Sequence, residues 1–290
     1  MKYKFILENR GQYRLGKMCK ILNVSRSGYH RYLKQKVSQR QRENQWLLEQ
    51  IKNVYNRFRC VYGSPRIYKE LRKTGIKCNK KRVVRIMRIN GIKAKTKRRY
   101  KVTTNSGHNY PVSENILKQN FNAARPNEKW VSDITYVWTK QGWLYLVCIV
   151  DLYSRMIVGW TLDISLKSSM VITALKQAIV NRGENPGLIF HSDRGSQYAS
   201  EEVKSFLRQK NIIQSMSRKG NCYDNAVAES FFHTIKSELI SFELFNTRQE
   251  AKMKIFEYIE IFYNRYRSHS ALNYFSPIDY EKKLNIKLVA

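Results

Sequence analysis

The hydrophobic period of this chain changes once, near Lys129, and that change limits the fold more than any other feature. Before it, apolar residues recur at helical spacing; after it come short runs rich in Val, Ile, Tyr and Trp. The runs are Trp130 to Trp138, Leu144 to Asp151 and Met156 to Thr161. Gln141-Gly142 marks a turn between the first two and Asp151 to Arg155 a turn between the next pair, so three antiparallel strands are expected. Lys167 to Arg182 then reads as a helix whose buried stripe is Met170, Val171, Ala174, Leu175, Ala178 and Ile179. Gly187 to Phe190 is a brief apolar strand, Glu201 to Gln209 a helix and Ile212 to Ser215 another short strand. Asp224 to Glu238 and Arg248 to Arg265 follow as helices. Three strands followed by alternating helix and strand give an α/β fold, a mixed five-stranded sheet flanked by helices.

The residues before Lys129 divide into small all-α modules of helix-turn-helix type. Leu15, Met18, Cys19 and Leu22 repeat at helical spacing, and Ser25 is an N-cap for a second helix carrying Tyr29, Tyr32 and Leu33. Helix, tight turn, helix is the form of a DNA-reading unit, though a plain helical hairpin looks much the same. Downstream, Trp46, Leu47, Ile51 and Val54 are expected on one helix face. Pro65 starts another helix, with Ile67 and Leu71, stopped by Gly75. Asn79 caps a third, with Val83, Val84 and Met87 inward and Lys80, Lys81, Arg82, Arg85 and Arg88 mostly outward, ended by Gly91. The expected organisation is a first module over 1–38, a second DNA-binding module over 39–95, a basic linker over 96–124 and a catalytic domain with a C-terminal helix over 125–285. The linker carries Lys97, Arg98 and Arg99 in a run without apolar period, suited to lying along phosphates.

Charge selects the partner. The 290 residues hold 54 Lys+Arg against 22 Asp+Glu, a formal net charge of +32. Such a field makes the compact state repel itself, and a polyanion is the natural relief. No run approaches the apolar length of a membrane span, and no secretory leader is visible. The five cysteines are scattered and form no C-x-x-C pair, which removes a disulfide framework and a zinc knuckle and fits a reducing cytosol. The five histidines offer no zinc spacing. DNA is therefore the expected partner, and an anionic membrane surface is not.

In so basic a chain the acids are informative by position. Asp133 stands mid-strand among apolar residues, where a carboxylate is costly unless a cation or hydrogen bonds satisfy it. Asp193 follows the strand Leu188-Ile189-Phe190 at its carboxyl end, where α/β sheets gather ligands. Glu229 shares a helix face with His233 and Lys236, opposite Val227, Phe231 and Ile235. Asp224 and Glu238 read as ordinary surface acids or helix caps. Three carboxylates on three elements of one domain suit Mg²⁺, or Mn²⁺, rather than a softer metal.

Asp133 and Asp193 are separated by 59 residues, Asp193 and Glu229 by 35. The flanking words are Trp130-Val131-Ser132-Asp133-Ile134-Thr135-Tyr136, His191-Ser192-Asp193-Arg194-Gly195-Ser196-Gln197-Tyr198 and Asn225-Ala226-Val227-Ala228-Glu229-Ser230-Phe231. A closing set follows in Tyr263-Asn264, Arg267, His269, Leu272 and Pro277. With these motifs the chain resembles bacterial insertion-sequence transposases of the OrfB type, whose retroviral-integrase-like core has an RNase H-like fold. The N-terminal zinc module of retroviral integrases has no counterpart here.

The resemblance implies that Asp133, Asp193 and Glu229 are catalytic and bind two Mg²⁺ ions for DNA strand cleavage and strand transfer. Lys236 would meet the DNA end, and His191, Gln197 and His233 would neighbour the site. Lys80, Lys81, Arg82, Arg85, Lys97, Arg98 and Arg99 are expected DNA contacts. The implied partners are the element's terminal repeats and target DNA, a homo-oligomer on that DNA, and an upstream-frame protein or a frameshifted fusion with it. The implied setting is the bacterial cytoplasm, at the nucleoid. Two other readings share parts of the pattern: an RNase H-like nuclease that cuts without joining, and a non-catalytic DNA-binding regulator.

Overall fold

The computed structural model describes residues 1–34, 38–95 and 111–289. Lys97, Arg98 and Arg99 lie outside the described residues.

The first module packs α1 (Lys2–Glu8), α2 (Leu15–Ile21) and α3 (Arg26–Leu33) around Ile6, Met18, Cys19 and Tyr29. Ser25 caps α3 by accepting a hydrogen bond from the Gly28 N–H at 2.9 Å. The second module has α4 (Gln39–Arg57), α5 (Ser64–Lys73) and α6 (Lys80–Ile89). A capping box between Ser38 and Gln41 starts α4, Pro65 lies in the first turn of α5, and the Asn79 side chain accepts from the Lys81 N–H at 2.8 Å.

Two inward assignments on these helices need correction. Leu47, Ile51 and Val54 face inward, but Trp46 is 51% exposed. Val83, Ile86 and Met87 line the core, and Val84 is 41% exposed. One residue is about 100° of rotation, so a neighbour of a core position is carried off the buried stripe however apolar it is.

Beyond the linker, β1 (Lys129–Thr139), β2 (Gly142–Asp151) and β3 (Ile157–Asp163) form the expected antiparallel meander. Then come α7 (Ser168–Arg182), β4 (Ile189–Ser192), α8 (Ser196–Ala199), α9 (Glu201–Gln209) and β5 (Ile213–Met216). The last elements are α10 (Ala226–Glu238), α11 (Arg248–Phe256) and α12 (Pro277–Val289). The sheet order is β3-β2-β1-β4-β5, with β4 and β5 parallel to β1. This is the five-stranded RNase H-like arrangement, with helices on both faces.

The sheet separates two cores. Val147, Ile149, Val158 and Phe190 pack under α7 and α9, while Leu146, Cys148, Val150 and Val131 pack under α10 and α11. Gly159 is required where β3 meets α7: a Cβ there would lie 2.3 Å from the Ala174 carbonyl oxygen. The second core continues without a break into Leu47, Ile51, Ile67, Leu71 and Met87, so the second helical module and the sheet domain share one apolar interior.

Polar contacts reinforce that junction. The Ser268 N–H donates to the Tyr62 hydroxyl at 2.6 Å, the Ser268 hydroxyl donates to Glu70 at 2.6 Å, and the Lys73 ammonium donates to the Tyr274 carbonyl at 2.7 Å. Arg59 pairs with Glu257. The linker also differs from a free tether where it is described. It is irregular, yet Leu117 is buried, and the Ser215 hydroxyl accepts the N–H groups of Ile116 and Leu117 at 2.9 and 3.1 Å. The segment straps the outer strand β5.

Candidate active site

Strand pairing places the first carboxylate. β4 pairs with β1 only as far as Ser192 opposite Ser132, so Asp133 and Asp193 leave the same parallel pair side by side. Across the other edge Asp133 faces Cys148, a buried thiol whose pKa is raised by burial and then by Asp133. Asp133 is only partly open to solvent and accepts the Ile134 N–H at 2.7 Å. Burial holds its pKa well above the ordinary carboxylate range, and Asp193 and Glu229 push it further the same way. Lys236 is the cation that opposes this, and burial correspondingly lowers the lysine's own pKa.

The second carboxylate is held by its turn. The Asp193 side chain accepts the Gly195 N–H at 2.9 Å. A Cβ on Gly195 would stand 3.1 Å from both Asp193 Oδ1 and Gln197 Oε1, so the absence of a side chain keeps a cradle open beside the carboxylate. Gln197 is thus brought next to Asp193, while its amide donates to the Leu166 carbonyl at 3.3 Å.

The third carboxylate arrives on α10, whose inner face is Ala228, Phe231, Phe232 and Ile235. Glu229 and His233 are exposed and Lys236 half-buried, as the helical wheel requires. Although Glu229 keeps an exposed surface, partial desolvation of its carboxyl and then Asp193 raise its pKa. Two residues missed as functional in the sequence fix where α10 begins. Asn225 is buried and donates to the Ser132 carbonyl at 3.0 Å, tying the helix start to β1 beside Asp133. Asp224 is fully buried and accepts from Arg218, Asn115 and Gln119, which correct its reading as a surface acid. The Arg218 hydrogen bonds hold its pKa far below the usual range. Both residues sit in the quoted motif or next to it, but only their tertiary partners reveal the role.

Other expected site residues fall differently. His191 is fully buried, with Ser215 and Ser217 hydroxyls 2.8 and 3.2 Å from its two ring nitrogens. Burial lowers its pKa to about 4, which favours a neutral ring held between the two serine hydroxyls. Arg82 reaches Asn44 at 2.8 Å and Glu43 at 3.1 Å, binding α6 to α4 instead of standing free. Together with Arg40, Lys81 and Arg85 it lines an open groove of about 760 Å³ between the starts of α4 and α6. Glu238 is the other correction: it is no surface acid but a buried partner of Arg267, with bonds of 2.7 and 2.8 Å.

The three carboxylates therefore converge without a preformed cage. Among the described residues no three His, Cys, Asp or Glu side chains already stand where they would ligate one ion. The donor set still fits a hard cation: oxygens only, mutually repelling, with room left at Gly195.

Residues 123–222 match a family described as Integrase core domain, 229–284 match a second family of that description, and 41–100 match an HTH-like domain. Fold and site thus define an integrase-type catalytic core joined to a helix-turn-helix-like module. Transposase InsF of insertion sequence IS3A from Escherichia coli (strain K12) is 39% identical over 98% of this chain and 99% of its own length. An uncharacterized 31 kDa protein of insertion element IS600 from Shigella sonnei is 43% identical over 92% of this chain and 98% of its own. The chain belongs to this family of insertion-sequence transposases. Among solved structures, the HTLV-2 integrase catalytic core domain in complex with magnesium covers 55% of this chain and 99% of its own, at 19% identity and TM-score 0.44.

Proposed function

We propose that this chain cuts DNA at the ends of its insertion sequence and joins the freed strand to new DNA, using Asp133, Asp193 and Glu229. The observation that carries the reading is the convergence of these three carboxylates: Asp193 raises the pKa of both Asp133 and Glu229, and Glu229 raises that of Asp133, against the Ile134 N–H and Lys236. Acids so arranged stabilise nothing by themselves and are suited to holding divalent cations. Two Mg²⁺ ions, or Mn²⁺, bound there would acidify an attacking water or 3′-hydroxyl and stabilise the leaving 3′-oxygen.

The protein's own residues do the rest. Asp133 is fixed by strand pairing, Asp193 by its turn, and Glu229 by the Asn225 tether, so the phosphate meets a site rigid on three sides. Lys236, half-buried beside Asp133, holds the terminal phosphate. Tyr198 is no nucleophile: it is fully buried, 2.8 Å from the Ser132 hydroxyl, and its pKa is raised well above the usual value. Direct attack by water and then by the 3′-hydroxyl needs no covalent intermediate. Lys80, Lys81 and Arg85 on α6 contact phosphates of the terminal repeats. The active form is an oligomer on DNA, working with an upstream-frame partner or fused to it. The setting is the bacterial cytoplasm, and among the described residues no helix is long and apolar enough to cross a membrane.

The test is incubation of the purified chain, alone and with the upstream-frame product, with duplexes spanning the DNA that flanks its gene, with and without Mg²⁺. Nicked ends followed by joined strands are expected. Cut ends that never join would make the protein a nuclease, and a folded sample inert under every condition would leave it a DNA-binding regulator.

A further inference from the structure

The Asn225 side chain has two ends, and only one of them is used in tying α10 to β1. Its nitrogen donates to the Ser132 carbonyl at 3.0 Å, which fixes the planar carboxamide. Its oxygen, Oδ1, is buried and accepts nothing from the described residues. Among those residues five buried side-chain polar atoms lack a partner, the others being on Tyr29, Trp130, Thr135 and Arg248. Tyr29 and Thr135 carry hydroxyls, which rotate, while Trp130 and Arg248 present N–H donors. Asn225 alone presents an orphaned acceptor that a second bond of the same side chain keeps from turning. The backbone is held as well, because the neighbouring Asp224 is gripped by Arg218, Asn115 and Gln119.

Three observations place this oxygen at the carboxylates. The Ser132 carbonyl belongs to the peptide group whose N–H is that of Asp133, and Ser132 pairs with Ser192, next to Asp193. Asp133 lies opposite Cys148, a residue of the core under α10, so its side chain is on the face of the sheet that α10 covers. Asn225 begins α10, and Glu229 follows it by four residues, about one turn further on the same side of the helix. Lys236 falls on that side too, and both it and Glu229 act electrostatically on Asp133. The groups gathered here are rich in acceptors, since ionised carboxylates and an amide oxygen donate nothing. A divalent cation supplies the missing donors: Mg²⁺ dehydrates reluctantly and keeps several of its waters.

We propose that Asn225 is an outer-sphere metal ligand, its Oδ1 accepting a hydrogen bond from a water on the cation held by Asp133 and Glu229. This rests on the reading of the three carboxylates as a cation site. The two ends of one side chain then have separate tasks. The nitrogen sets the start of α10 against β1, and the oxygen orients the water nearest to it. Outer partners of this kind change metal affinity by about 10–100-fold when they are removed.

The test follows the side chain itself, by NMR of the full chain labelled with ¹³C,¹⁵N-asparagine. The Asn225 signals are identified by their absence from Asn225→Asp. Titration with MgCl₂ should move the Asn225 carboxamide carbon downfield, while its NH₂ signals, tied to Ser132, stay in place. KCl at equal ionic strength should move neither. Binding of Mn²⁺, followed by electron paramagnetic resonance, should weaken about 10–100-fold in Asn225→Ala. Asn225→Asp loses the donor to Ser132 but keeps an acceptor. It should bind Mn²⁺ more tightly than Asn225→Ala, although urea unfolding shows both variants destabilised. An Asp variant that binds no better than the Ala variant overturns the proposal and leaves Asn225 a tether alone. So does a carboxamide carbon unmoved by saturating Mg²⁺, a result read in wild type whether or not the variants fold. Failure of the carboxylate reading looks different: wild type would then show no saturable binding of Mg²⁺ or Mn²⁺ at all.

Discussion

Helix α10 carries two glutamates in opposite electrostatic settings, and the contrast separates function from structure in this molecule. Glu238, at its end, is buried against cations. Arg267 donates twice to it, Arg66 lies 3.6 Å away, and the Tyr258 hydroxyl donates to it at 2.8 Å. Glu229, near the start, looks across at Asp193 and, through Asp133, at a third acid. The first acid is satisfied by the folded chain itself, and because Arg66 comes from α5, it also ties the helical module to α10. The second has an acid, Asp193, as the charged group that shifts it. An acid whose partners are cations stabilises the fold; an acid whose partners are acids is left for a ligand.

The largest expected effect breaks the second setting. Asp133→Asn, Asp193→Asn or Glu229→Gln should each lower strand cleavage and joining by about four orders of magnitude or more, as loss of an essential group does. DNA affinity should change little. Removing a carboxylate from a repelling cluster should also leave the metal-free melting temperature unchanged or raised, and a calorimetric scan beside the cleavage assay checks both. A variant that keeps strand transfer would take its residue out of the site.

Breaking the first setting should do the reverse. Glu238→Gln leaves Arg267 buried without its counter-ion and is expected to cost about 3–5 kcal/mol of stability. Denaturant titration measures it. Glu238→Leu combined with Arg267→Met should recover much of the loss, because no unpaired charge stays buried. If Glu238→Gln proved as harmless as Glu229→Gln, the two acids would not differ as the structure has them.

How much of this was legible in the sequence follows the same line. Strands β1 to β3, the caps Ser25 and Asn79 and the elements that bear Asp133, Asp193 and Glu229 were legible, because period and capping chemistry are local or nearly so. Trp46 and Val84 misled because a sequence window shows that a residue is apolar but not which side of a stripe it falls on. Asp224 and Glu238 misled for a stronger reason. Their partners Asn115, Gln119 and Arg267 lie elsewhere in the chain, and a buried acid with distant partners looks like a surface acid until the chain is folded. The turn from α11 into a π-helical stretch over Glu257–Tyr263 likewise carries no local signal, and it sets Tyr258 toward Glu238 and Tyr263 edge-on to Phe231 of α10 at 4.9 Å.

The cationic setting also has a pH signature. His269 packs edge-on against Tyr263 at 4.8 Å and lies 3.4 Å from Arg267. Burial first, then Arg267, Arg66 and Arg155, hold its pKa well below 6.5. The folded value lies below the unfolded one, so in between the unfolded chain binds a proton that the folded chain refuses. Stability should therefore fall as pH drops below about 6.5, and recover as it rises. Urea unfolding at acid and neutral pH should show a shallower decline in His269→Phe than in wild type, with the buried His191 supplying part of what remains. An identical decline would assign the effect to other groups.

The smallest effect concerns Lys236, the cation of the acidic setting. It stands on α10 between the two glutamates, half-buried, and its charge is the one that offsets Asp133. If it served only to calm the carboxylates, Lys236→Ala would alter the metal-free protein and leave DNA binding alone. If it holds a terminal phosphate, the variant should bind end DNA several-fold more weakly and lower the slope of log affinity against log salt by about one. Titrations at several salt concentrations with a catalytically dead Glu229→Gln background separate the cases, because no cleavage then intervenes. A slope equal to that of the parent would place Lys236 with the structural cations of the fold and leave the DNA end to be held by other groups.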